Sequence, residues 1–573
     1  MKTLFELTVP LALAASFALG CGSAAAPPLP PAAMPAPGQP GSTEDLLAIA
    51  QAAFEPGALP EMPRKVRASI GAAPARGLGP VGDGPEAGPR VPTTGLVIEG
   101  EKLGHDPSVV VGDRYLIVYT AHRYNLHDKV TGELLAEQEG DEVAPVGDFN
   151  TLFLPLWAPR DKHGAPNEAN VNKRLRFVSG DPLACDPEDP LGPGSPACVR
   201  EFYDTRILWD PVRKRFWIES AVRNHLWFCT RTATEPCADP KHSATQARRF
   251  IAVAVSRTED PRQGFHRYVL VDEYADWPKI GIHDRYLLLG HRSSPNLYVF
   301  DADKLAAGNP EHGPVRVAKL DLHAFPGARF LDEVNHHGPT GDVTYLVGTD
   351  GSDQLTVFGL LNPDPSRAAV PTVIRGPRIS TGVKLGTFEN NAVYRDGQIY
   401  LTTDACTPGA EGCGPRRVRV LRVPARRADG PRGPALAVST DPAQGYLHLT
   451  FGGREPDDAP DDTADYVMPA LDVNAQGDMV IGYARRSFKM RTEVPFELRY
   501  SILYHGETTP RPGVLVRRGT WMPAPDIDDN GKAGIDLAGA QTDPGDDRTV
   551  WISHAVADKP TKWFRQWTAA VKP

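Results

Sequence analysis

The chain has 573 residues and a net charge of −9, from 62 basic and 71 acidic residues. The two signs are interspersed, so there is no clustered basic face, which argues against a nucleic-acid groove and leaves no nucleic-acid partner expected. The length suits one large domain or several small ones, and no apolar run is long enough to cross a bilayer core of about 30 Å.

The chain starts like a secretory signal. Lys2 supplies a short positive region, Leu7 to Leu19 is mostly apolar, and Phe17-Ala18-Leu19-Gly20-Cys21 follows. This layout predicts a signal peptide over 1–20. Its last residues resemble a bacterial lipobox, which implies lipidation of Cys21. An ordinary signal peptide with a chance cysteine is the competing reading. Several acyl chains would anchor the protein firmly, since each buried CH₂ contributes about 0.8 kcal/mol. Gly22 and Ser23 come next, without the Asp of inner-membrane retention, so the resemblance implies the outer membrane of a bacterial envelope. Residues 21–92 are dominated by Ala, Pro and Gly, a composition that buries too little apolar surface to fold. They read as a stalk, with one short helix expected over 43–54.

From Thr93 to the end the pattern is β. Runs rich in Val, Ile, Tyr, Phe and Trp alternate with Asp/Gly/Asn/Pro turns. Ser108–Thr120, Thr205–Ser220, Gly281–Arg292, Asp342–Asp350, Asn391–Asp404, Leu471–Ser487 and Ala540–Ala555 each read strand, tight polar turn, strand. About seven such units predict an all-β fold, a single β-propeller over 93–573 with about seven blades. Two stacked β-sandwiches are the alternative. The stretch 159–200 reads as a long insertion. Beyond Cys21 six cysteines form local pairs, Cys185 with Cys198, Cys229 with Cys237 and Cys406 with Cys413. In an exported chain these predict three loop-closing disulfides.

Three motifs carry a family resemblance. They are Ser256-Arg-Thr258-Glu-Asp260-Pro261-Arg-Gln-Gly264-Phe265, then Asp276-Trp277-Pro278-Lys279-Ile280-Gly281, then Ala540-Gln-Thr-Asp543-Pro544-Gly-Asp546-Asp547-Arg-Thr-Val-Trp551. In this order the chain resembles uncharacterised exported bacterial propeller proteins, seven-bladed and sialidase-like in shape. The resemblance implies that fold and no activity. Asp536-Leu537-Ala538 replaces the aromatic-serine pair that usually precedes the third motif, and no sialidase Asp-box is present.

In a propeller the inner strand of each blade lines a central channel, so polar residues at strand starts should converge. The candidates are Tyr203, Asp204, Asp276, Lys279, His336, His337, Glu389, Asn390, Asp465 and Asp536, with Glu333 and Tyr466 beside them. Such a funnel could hold a cation, a sugar or an acid/base pair. The competing reading is that these Asp residues cap turns and Lys279 pairs with one carboxylate. Asp204 and Glu333 are the expected partners. Pro278 should hold Trp277 extended, and Gly281 should allow close packing against the next blade. Adjacent strand residues face opposite ways, so one of His336 and His337 should face the channel and the other should pack. Asp526, Asp528 and Asn530 match the start of a calcium loop, but Leu537 stands where the closing Glu belongs, and a solvated turn is the alternative. Calcium is the single cofactor candidate. The sequence favours a tethered binder of a glycan or protein ligand over an enzyme. A glycoside hydrolase or lyase using funnel carboxylates and a structural envelope protein are the alternatives.

Overall fold

The computed structural model describes residues 92–102, 106–120, 124–135, 152, 199–224, 249–271, 277–283, 286–291, 296–308, 317–338, 342–361, 371–382, 385, 390, 392–409, 412–430, 433–455, 458, 463–489, 496–520, 538–558 and 563–573. They are almost entirely strand. β1 (Thr93–Lys102) is followed by the sheet β2 (Ser108–Val111), β3 (Tyr115–Tyr119) and β4 (Tyr124–Asp128). Then come β5 (Val199–Asp210), β6 (Arg215–Asn224), β7 (Arg249–Ser256) and β8 (Phe265–Val271), and next β9 (Pro278–Ile282), β10 (Tyr286–His291), β11 (Asn296–Asp301) and β12 (Val317–Asp321). A six-residue helix, α1 (Ala302–Ala307), follows β11.

A nine-stranded sheet comes next. Its first half is β13 (Phe330–His337), β14 (Val343–Thr349), β15 (Gln354–Leu361) and β16 (Thr372–Ser380). Its second is β17 (Ala392–Arg395), β18 (Gln398–Gly409), β19 (Gly412–Gly430), β20 (Gly433–Val438) and β21 (Leu447–Phe451). The halves join through β13 and β17, a parallel pair where the other strand pairs among the described residues are antiparallel. The last two sheets are β22 (Thr463–Val473), β23 (Met479–Lys489), β24 (Glu497–Leu503) and β25 (Val514–Arg517), then β26 (Gly539–Thr542), β27 (Val550–Asp558) and β28 (Trp563–Lys572). β1 pairs with β28 as the outer strand of the final sheet, so the first strand staples the ring shut.

Polar turns make these hairpins, because a side-chain carboxylate or amide can take the N–H groups that a tight reversal leaves unpaired. Asp210 Oδ1 accepts from the N–H of Val212 and Arg213 between β5 and β6. Asn474 Oδ1 serves Gln476 and Asp478 between β22 and β23, and Asp546 serves Arg548 and Thr549 between β26 and β27. The strands between are buried on both faces. β10, β14 and β24 bury nearly every residue, as sheets covered on both sides must.

The core is accordingly a series of layers between successive sheets. Trp217, Ile251, Leu287 and Tyr298 form one, and Val393, Val418, Tyr466 and Ile481 another. Ile98, Val109, Leu116 and Trp551 form the layer that joins the last sheet to the first. β2 lies against β5, β5 against β9, β9 against β13, β13 against β17, β17 against β22, β22 against β26, and β26 against β2. A closed cycle of inner strands with sheets radiating from it is an all-β propeller.

Candidate functional site

The inner strands surround a cavity of about 240 Å³ that takes wall residues from every member of the cycle. Ser108 comes from β2, Arg206 from β5, Ile282 from β9, Asn335, His336 and His337 from β13, Arg395 from β17, Asp472 from β22, and Gln541 and Thr542 from β26. His337, Arg395 and Thr542 are the last residues of their strands and Asp472 is next to last, while Ser108 opens β2, Arg206 lies within β5 and Asn390 precedes β17.

Charges there are paired across the channel. His337 Nε2 lies 2.9 Å from Asp472 Oδ1 and 3.0 Å from Oδ2, reaching past β17 to do so. Asp472 also accepts the N–H of Thr542 at 2.6 Å and of Val473 at 2.7 Å. Burial pushes its carboxyl up, but the His337 ring and these two N–H groups outweigh burial and hold it below its ordinary value. Arg395 grips Asp547 with two bonds, Nη1 to Oδ2 at 3.0 Å and Nη2 to Oδ1 at 2.6 Å. Burial alone would lower the guanidinium, but Asp547 and Asp472 together raise it. Gln541 clamps Val111 through both its amide atoms.

Three of the predicted residues line this cavity: His336, His337 and Asn390. Asn390 donates to Pro469 O at 2.7 Å. The two histidines divide much as adjacent strand residues should. His337 turns its dyad to the cavity. The His336 ring takes the N–H of Tyr345, lies 3.2 Å from Ile282 O and stands edge-on to His283, and its burial pulls it well below the ordinary histidine value.

Asp465 is elsewhere, accepting Arg416 N at 2.8 Å and meeting Arg486 Nε at 3.3 Å, with its carboxyl raised by burial. Tyr466 donates to Glu455 at 2.6 Å. Asp204 sits in a β5 bulge with φ +52°, and the backbone of Tyr203 pairs with Ala221 at its edge. Asp276, Glu389, Asp536, the calcium candidates Asp526, Asp528 and Asn530, the lipidation candidate Cys21, and Cys185, Cys198, Cys229 and Cys237 lie outside the described residues. Cys406 and Cys413 belong to β18 and β19, with backbone partners Arg416 and Pro408. Among the described residues no three His, Cys, Asp or Glu side chains gather as a metal site.

Two expectations for the second motif are corrected. Trp277 is not extended: its φ is +52°, in the left-handed region. Asp204 and Met468 share that conformation, and the last two stand at bulges in β5 and β22. A left-handed residue bends an inner strand sharply, and the need for that bend overrides the usual pre-proline restriction. Lys279 pairs with a carboxylate of the next sheet, as expected, but the partner is Asp332 at 2.8 Å and not Asp204 or Glu333. Gly281 does what was expected, since a Cβ there would stand 2.6 Å from Glu333 Cβ. The other two motifs build turns. Asp260 caps the 3-10 turn after β7, and Asp543 collects Lys129, Gly545 N and Trp551 Nε1.

Behind the wall lies a second polar group that the sequence did not single out as a unit. Glu219 and Glu333 are fully buried, and their four carboxylate oxygens make no hydrogen bond to another described residue. Glu219 Oε1 lies 3.3 Å from His291 Nε2. Burial, then Glu333, pushes the Glu219 carboxyl well up against the pull of Arg206, and burial, then Asp332, does the same to Glu333 against Lys279.

No protein family and no curated protein matches the chain. Similar solved structures include the extracellular domains 1–2 of Drosophila Semaphorin 1a, at 6% identity over 82% of this chain and 88% of that one with a TM-score of 0.33. The Trypanosoma rangeli sialidase in complex with the inhibitor DANA is 7% identical over 81% and 54%, with a TM-score of 0.27. An engineered GH43 glycoside hydrolase is 8% identical over 83% and 99%, with a TM-score of 0.25. Likeness this distant bears on neither activity nor ligand. The chain's own topology carries the conclusion: it is an all-β propeller with a polar central cavity.

Proposed function

We propose that the protein is a seven-bladed binding propeller that holds a small ligand in its central cavity and is tethered to a bacterial envelope, at the outer membrane, by lipid on Cys21. The cross-channel pairing on the cavity wall supports binding over hydrolysis. A glycosidase needs one carboxyl that keeps its proton at neutral pH and a second within about 5–9.5 Å. Asp472 is held by His337 and two backbone N–H groups and Asp547 by Arg395, and the carboxyls raised by burial, Glu219, Glu333 and Asp465, are not among the wall residues. The seven blades are counted by dividing the nine-stranded sheet at its parallel joint. The test is calorimetric titration of the mature protein in detergent against a glycan and small-metabolite panel, with p-nitrophenyl glycosides assayed beside it. One ligand per chain and no released p-nitrophenol are expected. Turnover abolished by Asp472→Asn would overturn the binder reading. Cys21→Ser protein that still fractionates with membranes after normal processing would overturn the tether.

A further inference from the structure

We propose that the cavity's ligand is a neutral polyhydroxylated molecule of about one sugar unit, held by its hydroxyls on the paired ends of β13 and β17; this rests on reading the cavity as a binding site. Three polar atoms there lack partners. Asn335 Oδ1 and Arg395 Nε are buried without a hydrogen bond among the described residues. His337 uses only Nε2, toward Asp472. Because an ionised carboxylate only accepts, Nε2 donates to Asp472, and Nδ1 is the ring nitrogen left to meet a ligand hydroxyl.

The backbone brings these groups together. Asn335 and His337 are two residues apart on β13, and so on one face of the strand, while His337 stands opposite Arg395 in the parallel register. The set is one acceptor, Asn335 Oδ1, one donor, Arg395 Nε, and the second ring nitrogen of His337, with Asn335 about 6.6 Å along β13 from His337 and Arg395 one strand spacing across. A hydroxyl is the one common group that both donates and accepts, so neighbouring hydroxyls on a ring meet all three. Each unmet buried group costs roughly 1–3 kcal/mol, which a ligand hydroxyl recovers.

Neutrality follows from the pairing. His337 already faces Asp472 and Arg395 already faces Asp547. A charged ligand would be desolvated there without a free counter-charge. The volume, about 240 Å³, equals about eight waters of liquid, enough for one sugar ring and too little for a chain.

The probes are the methyl glycosides of glucose, galactose and mannose, titrated calorimetrically into the mature protein, followed by the monodeoxy and deoxyfluoro analogues of whichever binds. Removing the hydroxyl that faces Asn335 or His337 should weaken binding at least tenfold, and at the one facing Asn335 fluorine, which cannot donate, should not restore it. At the hydroxyl facing Arg395 fluorine should restore part of the loss. Asn335→Leu and His337→Phe should each weaken binding at least tenfold with an unchanged melting temperature. The analogue series carries the test without any variant should either fail to fold. Binding of glucuronate or glucosamine in place of all three neutral glycosides would overturn the ligand class and keep the binding site. A neutral glycoside indifferent to every one of these changes would overturn both readings, as would a cavity that takes none of the probes.

Discussion

Two clusters of buried acids in this propeller are equally deep and differently supplied. Inside the β22–β25 sheet Glu497 accepts from Arg485 Nη1 at 3.0 Å and Arg499 Nε at 2.6 Å, and Arg518 stands 3.4 Å from its other oxygen. Arg485 also bonds Asp458, and Glu455 collects Tyr466, Tyr483 and the N–H of Gly513. Where the β5–β8, β9–β12 and β13–β16 sheets meet, Glu219 and Glu333 are as buried as Glu497, yet no hydrogen bond from another described residue reaches their oxygens. The comparison shows that burial alone does not decide what a carboxyl is. Donors make Glu497 the centre of an ion network. Their scarcity leaves Glu219 and Glu333 as acids whose neutral form the fold prefers.

Removing one cation from each cluster should separate them most widely. Arg485→Met takes donors from Glu497 and Asp458 at once and should cost about 3–5 kcal/mol, the usual penalty for breaking a buried pair. Lys279→Met strands Asp332, but burial already disfavours the lysine's charged form, so its loss should be smaller. Urea midpoints at pH 7 compare the two. Equal losses would erase the distinction between the clusters.

Local chemistry and the all-β propeller were legible in the sequence, and the side-chain pairings across the ring were not. The strand-turn-strand units stand where expected because Asp210, Asn474 and Asp546 close their own turns within four residues. Lys279 was recognisable as a pairing lysine, but its partner Asp332 belongs to another sheet 53 positions on, and no local pattern singles that carboxylate out. The cavity wall was sought at strand starts, where Asp residues draw attention. Of those candidates Asp465 serves backbone and arginine away from the cavity. The charged pairs of the wall stand at strand ends instead, and His337 meets Asp472 across 135 residues of chain. Asp472 and Asp547 stood inside segments read only as a hairpin and a family motif. Asn335 and Arg395 carried no signal beyond their place at strand ends.

A finer contrast concerns space. The β9–β10 hairpin offers glycines to Glu333: a Cβ at Gly281 would lie 2.6 Å from Glu333 Cβ, and one at Gly290 would lie 2.2 Å from Glu333 Oε1. The first clash is with the root of a side chain on a fixed strand, the second with its movable end. Gly281→Ala should therefore cost about 1–3 kcal/mol by overpacking, and Gly290→Ala less. In a Glu333→Gly background, which removes the Cβ as well as the carboxyl, both costs should largely vanish, a coupling that a double-mutant cycle on melting free energies reads directly. Additive losses would mean that the glycines serve the backbone and not the acid.

The smallest effect tests protonation itself. Both carboxyls are raised above their ordinary 4.5 in the folded protein. A raised acid binds its proton in the folded state after the unfolded chain has lost it. Its contribution is therefore complete below pH 4.5 and declines as pH rises toward the folded value, by up to about 1.4 kcal/mol per pH unit for each group. Glu333→Gln and Glu219→Gln remove that decline and keep the shape. Neighbouring groups titrate as well: His336 and Lys279, both pulled down by burial, make the fold more stable as pH rises, on the acid side and at alkaline pH respectively, against the carboxyl decline. Asp332, Arg206 and His291 complete the charged surroundings. The difference between variant and wild type, taken from pH 4.5 upward, cancels what the two share and leaves the carboxyl. Each variant should gain on the wild type steadily as pH rises. A constant difference across that range would mean that Glu219 and Glu333 are ionised in place, and the two clusters would then differ in geometry alone.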